Sequence, residues 1–319
     1  MSVVKNGGIH GLKTCVCCKV NYFCQRNKRL RTLLKKMERE NRKGKSEQLP
    51  EEVGGAENSC PLENNFIQTE LIRGVDRSTL TLFFSGWATD GNLIKSLFAE
   101  CATQPQQSQL QQQTSDGQHI SVAPPNDILV CYNYNGYLFN PNLIEGYSRI
   151  KLMAWSLGVW AAEFATGLES VVFDEAVALN GTTTPIDEQR GIPPAIYTGT
   201  LNGLNERNLY KFRRRMCGST ESYNAFMQFP PQRTMESIKG ELAAILTRSQ
   251  TKDWTSIPWS KAIICTQDAI FPPDNQANAW NSLNEERVAA EANLSGIKEI
   301  EICLVEQPHF PAALLKSLL

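Results

Sequence analysis

The sequence predicts an α/β fold in which a mostly parallel sheet carries a helical segment inserted between two of its strands. Three observations predict it. Short β-branched and aromatic runs such as "TLTLFF" (79–84), "DILVCY" (127–132) and "KAIICT" (261–266) alternate with stretches of helical periodicity. That alternation is what a parallel sheet with crossover helices requires. Between residues 182 and 259 the strand signal disappears and capped helical patterns replace it. The 319-residue chain is 41% apolar, enough for a sizeable core in one large domain or two smaller ones.

Taken in order, "FIQTELIRG" (66–74) alternates enough for a first strand, and "TLTLFF" suits a buried one. The loop "SGWATDGN" comes next, then "LIKSLFAE" with helical spacing. Residues 103–125 are Gln-rich and end in Pro-Pro, the composition of a low-complexity surface insertion. After "DILVCY", "RIKLMA" (149–154) is the next strand, "LGVWAAEFATG" the helix behind it and "EAVALNG" (175–181) another strand. "NERNLYKFRRRMCG" and "RTMESIKGELAAILTRS" supply inserted helices. The sheet resumes with "KAIICT" and "KEIEICLV" (298–305), with the helix "NQANAWNSLNEERVAAEANL" between them.

The net charge of −1 conceals two different polymers: residues 1–50 carry +10 and the remainder −11. Residues 1–64 therefore read as a basic, Cys-containing, disordered extension, and residues 65–319 as the folded domain. Contact of the extension with nucleic acid or a membrane surface is the alternative. A zinc site usually draws on two separated Cys pairs. Cys15, Cys17, Cys18 and Cys24 crowd into ten residues with no second pair or histidine following nearby, so no metal is predicted. No apolar run approaches the ~20 residues that span a bilayer. No signal-peptide core precedes the domain, so a cytoplasmic protein is expected, with its ten cysteines as reduced thiols.

The chemistry turns on "KLMAWSLGVWAAEF" (151–164). Ser156 follows a strand and precedes a helix, where a sharp turn exposes a nucleophile in the G-x-S-x-G context, here A-W-S-L-G. A simple helix N-cap is the rival reading. Of three histidines, His10 lies in the extension and His119 in the Gln-rich insertion, whereas His309 follows the last strand. That is the address of the base in an α/β-hydrolase, and Asp268, after the penultimate strand, completes the order Ser, Asp, His. Asp187 is the alternative acid. The gap of 112 residues between Ser156 and Asp268 is what a helical cap after the fourth parallel strand would produce. The oxyanion requires two N–H donors, assigned to Leu157 and to Trp87 in "SGWAT", where Gly86 permits close approach.

"LFFSGWATD", "ILVCYNYNG", "RIKLMAWSLGVWAA", "LNGTTTPIDEQRGIP" and "DAIFPPDNQ…W" resemble the short esterases of biotin synthesis, the BioG type. The resemblance runs from Phe66 to Leu319, apart from the Gln-rich insertion. It implies a serine esterase that hydrolyses the methyl ester of pimeloyl-acyl-carrier protein, with Ser156, Asp268 and His309 as triad. It implies the carrier protein as partner and no cofactor, metal, nucleic acid or membrane. The "YNYNG" stretch departs from the more charged repeat of the family, and no role is assigned to it. Lys211, Arg213, Arg214 and Arg215 form the densest basic cluster of an acidic domain. They are the candidate dock for an acidic carrier, or simply a solvated helix face. A general carboxylesterase or thioesterase, or a non-catalytic binding protein on the same fold, are the other readings.

Overall fold

The structure is a computed structural model, and it describes residues 65–100, 120–250, 257–291 and 298–319. The chain divides into two units, Met1–Asn58 and Ser59–Leu319, and all of the described residues lie in the second. The extension with its five cysteines and His10, and most of the Gln-rich insertion with His119, lie outside the described residues.

Seven strands form one sheet: β1 (Gln68–Ile72), β2 (Asp76–Phe84), β3 (Asn126–Tyr132), β4 (Arg149–Trp155), β5 (Glu175–Leu179), β6 (Lys261–Gln267) and β7 (Glu301–Pro308). Their spatial order is β1-β3-β2-β4-β5-β6-β7. β1 runs antiparallel to β3, and every other pair is parallel. The chain builds outward from β2 to β3 and then returns to the other side of β2 with β4. Open α/β sheets bind ligands at the carboxyl ends of strands flanking such a reversal.

Strand periodicity divides the core into two layers. Along β4, Leu152 and Ala154 face one layer while Met153 and Trp155 face the other, all of them buried. Helices α1 (Asn92–Phe98) and α8 (Ala312–Leu318) cover the Met153 face with Leu93, Ile94, Leu97, Phe98 and Leu315. Helices α2 (Leu157–Phe164) and α7 (Pro273–Glu291) cover the opposite face with Val159, Trp160 and Trp280. Gly158 is required here, because a Cβ at that position would collide with the Phe84 and Ser85 carbonyls. Helix α2 therefore lies directly on the end of β2.

The segment between β5 and β6 is helical, as its sequence predicts: α3 (Pro194–Asn202), α4 (Glu206–Cys217), α5 (Thr220–Phe226) and α6 (Met235–Arg248). Side chains of Asn205, Ser219 and Thr234 cap α4, α5 and α6 by accepting N–H groups three residues on, at 3.0, 3.0 and 3.2 Å. Gly218, at φ 73, ends α4 in the left-handed conformation. A parallel sheet with this helical cap before its penultimate strand is the α/β-hydrolase fold. Among the described residues no helix is long and apolar enough to cross a membrane.

Candidate active site

Ser156 caps nothing. Its backbone stands at φ 59, ψ −130, and its side chain makes no capping hydrogen bond to α2. A non-glycine residue reaches such a φ only when the surrounding structure holds it there. The Ser156 N–H donates to the Leu179 carbonyl of β5 at 2.9 Å. A Cβ on Gly181 would strike the Ser156 carbonyl, so the chain after β5 packs against the serine backbone. The hydroxyl is thereby turned away from the helix.

It meets His309, whose Nε2 lies 2.9 Å from Ser156 Oγ. On the other side of the ring, His309 Nδ1 lies 2.7 Å from Asp268 Oδ2. An ionised carboxylate offers only acceptors. The imidazole proton therefore resides on Nδ1, and Nε2 is free to accept the serine proton. All three side chains are buried. Asp187, the alternative acid, is used elsewhere: its Oδ1 accepts the Gln189 and Arg190 N–H groups, both at 2.9 Å, in its own turn.

Each member is held by further residues. Asp268 Oδ1 accepts the Ile270 and Phe271 N–H groups at 2.8 Å. Its Oδ2 accepts Gln276 Nε2 at 3.1 Å, and the same amide nitrogen donates to the Phe271 carbonyl at 2.9 Å. The His309 carbonyl accepts Trp155 Nε1 and Asn180 Nδ2, both at 2.9 Å. Asn180 Oδ1 accepts the Cys265 N–H of β6 at 2.7 Å. Asn180, at φ 49, thus joins the ends of β5, β6 and β7 through one amide. Neither Asn180 nor Gln276 stands out in the sequence. The one local signal is the Asn-Gly pair at the end of a strand, since Asn tolerates the left-handed region better than most residues.

The loop after β2 passes over the serine. A Cβ on Gly86 would come within 2.9 Å of the Trp155 ring and 3.4 Å of Ser156 Cβ. Trp87 and Leu157 are both buried, yet among the described residues neither backbone N–H has an acceptor. Buried unpaired N–H groups are rare. Trp87 follows Gly86 on the loop that passes the serine and Leu157 follows the serine directly, the two positions at which the sequence sets the donors for an oxyanion.

The basic cluster of α4 does not present one uniform face. Lys211 and Arg215 are exposed. Arg214 stacks over the Tyr223 ring at 5.2 Å and donates to Thr220 Oγ1 at 2.9 Å. Arg213 lies partly buried over Phe226 at 5.9 Å, where desolvation lowers its pKa. Helical spacing turns neighbouring arginines to different sides, so a run of them cannot all face solvent together.

The chemistry open to this arrangement is nucleophilic: a serine with a base on one side, an orienting carboxylate behind the base, and donors for negative charge. Among the described residues no cluster of His, Cys, Asp and Glu could hold a metal ion.

Comparison with known proteins agrees with the architecture. The family described as pimeloyl-ACP methyl esterase BioG matches residues 111–295, more than half of the chain. The crystal structure of BioG from Haemophilus influenzae is 29% identical, with a TM-score of 0.57, covering 77% of this chain and 95% of that one. An uncharacterized protein of H. influenzae is 34% identical over 202 residues, 63% of this chain and 81% of that protein. The malonyl-[acyl-carrier protein] O-methyltransferase of Bacteroides fragilis is 48% identical over 158 residues, which are 49% of this chain and 32% of that protein. The chain thus spans about a third of the methyltransferase. By the extent of the family match, together with the fold and the arrangement of its residues, this chain belongs to the BioG family.

Proposed function

We propose that the protein is a serine esterase that hydrolyses the methyl ester of pimeloyl-acyl-carrier protein, releasing methanol and the carrier-bound free acid. The observation that carries this reading is the unbroken contact from Ser156 Oγ through His309 to Asp268, at 2.9 and 2.7 Å. His309 Nε2 takes the Ser156 proton as Oγ bonds to the ester carbon. Asp268 holds the tautomer and stabilises the imidazolium. The carbonyl oxygen becomes an oxyanion and accepts from the Trp87 and Leu157 N–H groups. As the tetrahedral intermediate collapses, the C–O bond to methoxide breaks and the leaving oxygen takes the proton from Nε2, forming methanol. Water then attacks the acyl-serine with His309 again as base, and the acid is released with Ser156 restored.

The ester at the end of a carrier-bound chain accounts for a cap over the serine. The exposed Lys211 and Arg215, with Arg214 beside them, are the proposed contacts for an acidic carrier. Arg213 belongs to the same cluster from its buried side.

The test is mass spectrometry of pimeloyl-carrier methyl ester incubated with purified protein. Loss of one methyl group, absent with Ser156→Ala, is the expected result. Unchanged substrate with the wild-type protein, alongside turnover of small esters, would favour a general carboxylesterase.

A further inference from the structure

The two donors of the proposed oxyanion recess are supported differently. Leu157 opens α2 and comes directly after β4 and the serine. Trp87 lies in a connecting loop, and the next residue, Ala88, stands at φ 61. An alanine enters that region only under constraint from its neighbours.

The constraint comes from the cap. Trp87 Nε1 donates to the Ile238 carbonyl of α6 at 2.9 Å, and its ring meets Phe212 of α4 edge-on at 4.9 Å. One turn beyond Ile238, the Glu241 carboxylate faces the Ala88 N–H. Its Oε1 accepts the Tyr134 N–H at 3.0 Å, and its Oε2 pairs with Arg233 Nη1 at 2.7 Å. The two charged side chains are 0% and 3% exposed. Arg233 Nη2 donates onward to Ser237 Oγ at 2.8 Å. The Tyr134 hydroxyl donates to the Ser85 carbonyl at 2.6 Å, at the start of the Trp87 loop. At the end of that loop, Asp90 Oδ2 accepts the Gln232 N–H at 2.5 Å. Residues 232–241 therefore grip the loop at Trp87, Ala88 and Asp90.

A buried ion pair contributes little stability compared with an apolar pair of the same volume, so the value of this one lies in what it orients. We propose that the cap builds the Trp87 half of the oxyanion hole, with Glu241 and Arg233 as positioning residues that set the loop through Ala88 and Tyr134. The inference rests on reading Trp87 as an oxyanion donor. Its consequence is that any change in the position of α6 alters a transition-state contact.

Two double variants test it. E241L/R233M deletes the acceptor and both charges, whereas E241Q/R233M deletes the charges and keeps an acceptor oxygen. For the methyl ester, E241L/R233M should lower kcat about 10- to 100-fold with KM within about twofold, because the donors act in the transition state. E241Q/R233M should restore most of that rate. The pH dependence of kcat/KM should be the same in both, since neither touches His309. In isotope-labelled protein the Trp87 indole N–H resonance should move in E241L/R233M and hold its place in E241Q/R233M. Trp87→Phe, which deletes the bond to Ile238 and trims the ring that meets Phe212, should lower kcat in the same sense and serves if E241L/R233M does not fold. Equal losses in the two double variants, a loss confined to KM, or a shifted pH profile would overturn the proposal. Failure of the esterase reading is separate: the wild-type protein would leave the ester intact, and the indole resonance would still decide whether Glu241 holds the loop.

Discussion

Glu163, on the helix that carries the serine turn, makes the stability of this fold depend on pH in a direction opposite to that of most carboxylates. Its side chain is buried at the base of α2 and accepts the Ile257 N–H at 3.1 Å and Trp259 Nε1 at 2.6 Å. Burial outweighs both hydrogen bonds and the nearby Arg287, pushing the carboxyl up to about 8 from the ordinary 4.5. Between those two values the folded chain holds a proton that the unfolded chain has released, so stability falls as pH rises from about 4.5 to about 8. A displacement of that size corresponds to roughly 4 to 5 kcal/mol once the group is fully ionised. Glu163→Gln has the shape of the acid and is neutral at every pH, but it replaces one of the two accepting oxygens by an NH2 donor, a loss that does not vary with pH. The variant should be less stable than wild type near pH 5, and its Tm relative to wild type should rise steadily towards pH 9, by on the order of 10 °C for a domain of this size. Thermal unfolding of both proteins across that range measures it. A Tm of the variant relative to wild type that stays constant, or that falls as pH rises, would refute the assignment of burial as the dominant effect.

Other expectations come from the same geometry. Asp268→Asn should lower kcat by about four orders of magnitude by favouring the wrong imidazole tautomer, while Asp187→Asn should leave kcat near wild type in a steady-state assay. The reverse pattern would move the acid to the Asp187 turn. Asn180→Ala strands the buried Cys265 N–H and should destabilise the fold by roughly 2 kcal/mol, measured by urea unfolding, with a fall in kcat. Charge reversal of Lys211 and Arg215 should lower kcat/KM for carrier-bound ester and flatten its salt dependence, since rim charges act over a Debye length of ~8 Å. Hydrolysis of a small ester should be unaffected. Equal losses on both substrates would show that the cluster supports the cap and does not dock the carrier.

Much of the fold is legible in the sequence because its signals are local. Buried strands such as "TLTLFF" and "DILVCY" are continuous apolar runs, and capping residues such as Asn205 and Thr234 mark helix starts within four positions. Ser156, Asp268 and His309 can be singled out because each follows a strand whose own pattern is clear. The structure brings these three together. Strand direction is another matter: the alternation of β1 marks a strand with a solvated face, and its pairing with β3 shows that it runs antiparallel. Asn180 and Gln276 act through contacts that no periodicity encodes. Tyr134, in the "YNYNG" stretch that suggests no role by sequence, supports both the Ser85 carbonyl and the Glu241 carboxylate. Charge alone groups Arg213 with its neighbours, whereas packing against Phe226 sets it apart.

The amide of Asn180 has a consequence for how this architecture tolerates change. It stands just after β5, where the cap segment departs, and the N–H that it binds, on Cys265, lies in the strand that succeeds the cap. The two ends of the inserted segment are thus pinned to each other at its base, as the mouth of a long loop is closed by a clasp. The clasp sets the spacing of β5, β6 and β7 whatever the length of the helices beyond it. The histidine loop is also tied to the cap, because the Phe310 N–H donates to the Met216 carbonyl of α4 at 3.0 Å and the Phe310 ring meets Phe226 of α5 at 5.5 Å. The Trp87 loop has no such insulation, because α6 itself holds it. A cap from another sequence would therefore inherit the strand spacing, and would have to rebuild the contacts at Phe310 and the grip on the loop from Trp87 to Asp90.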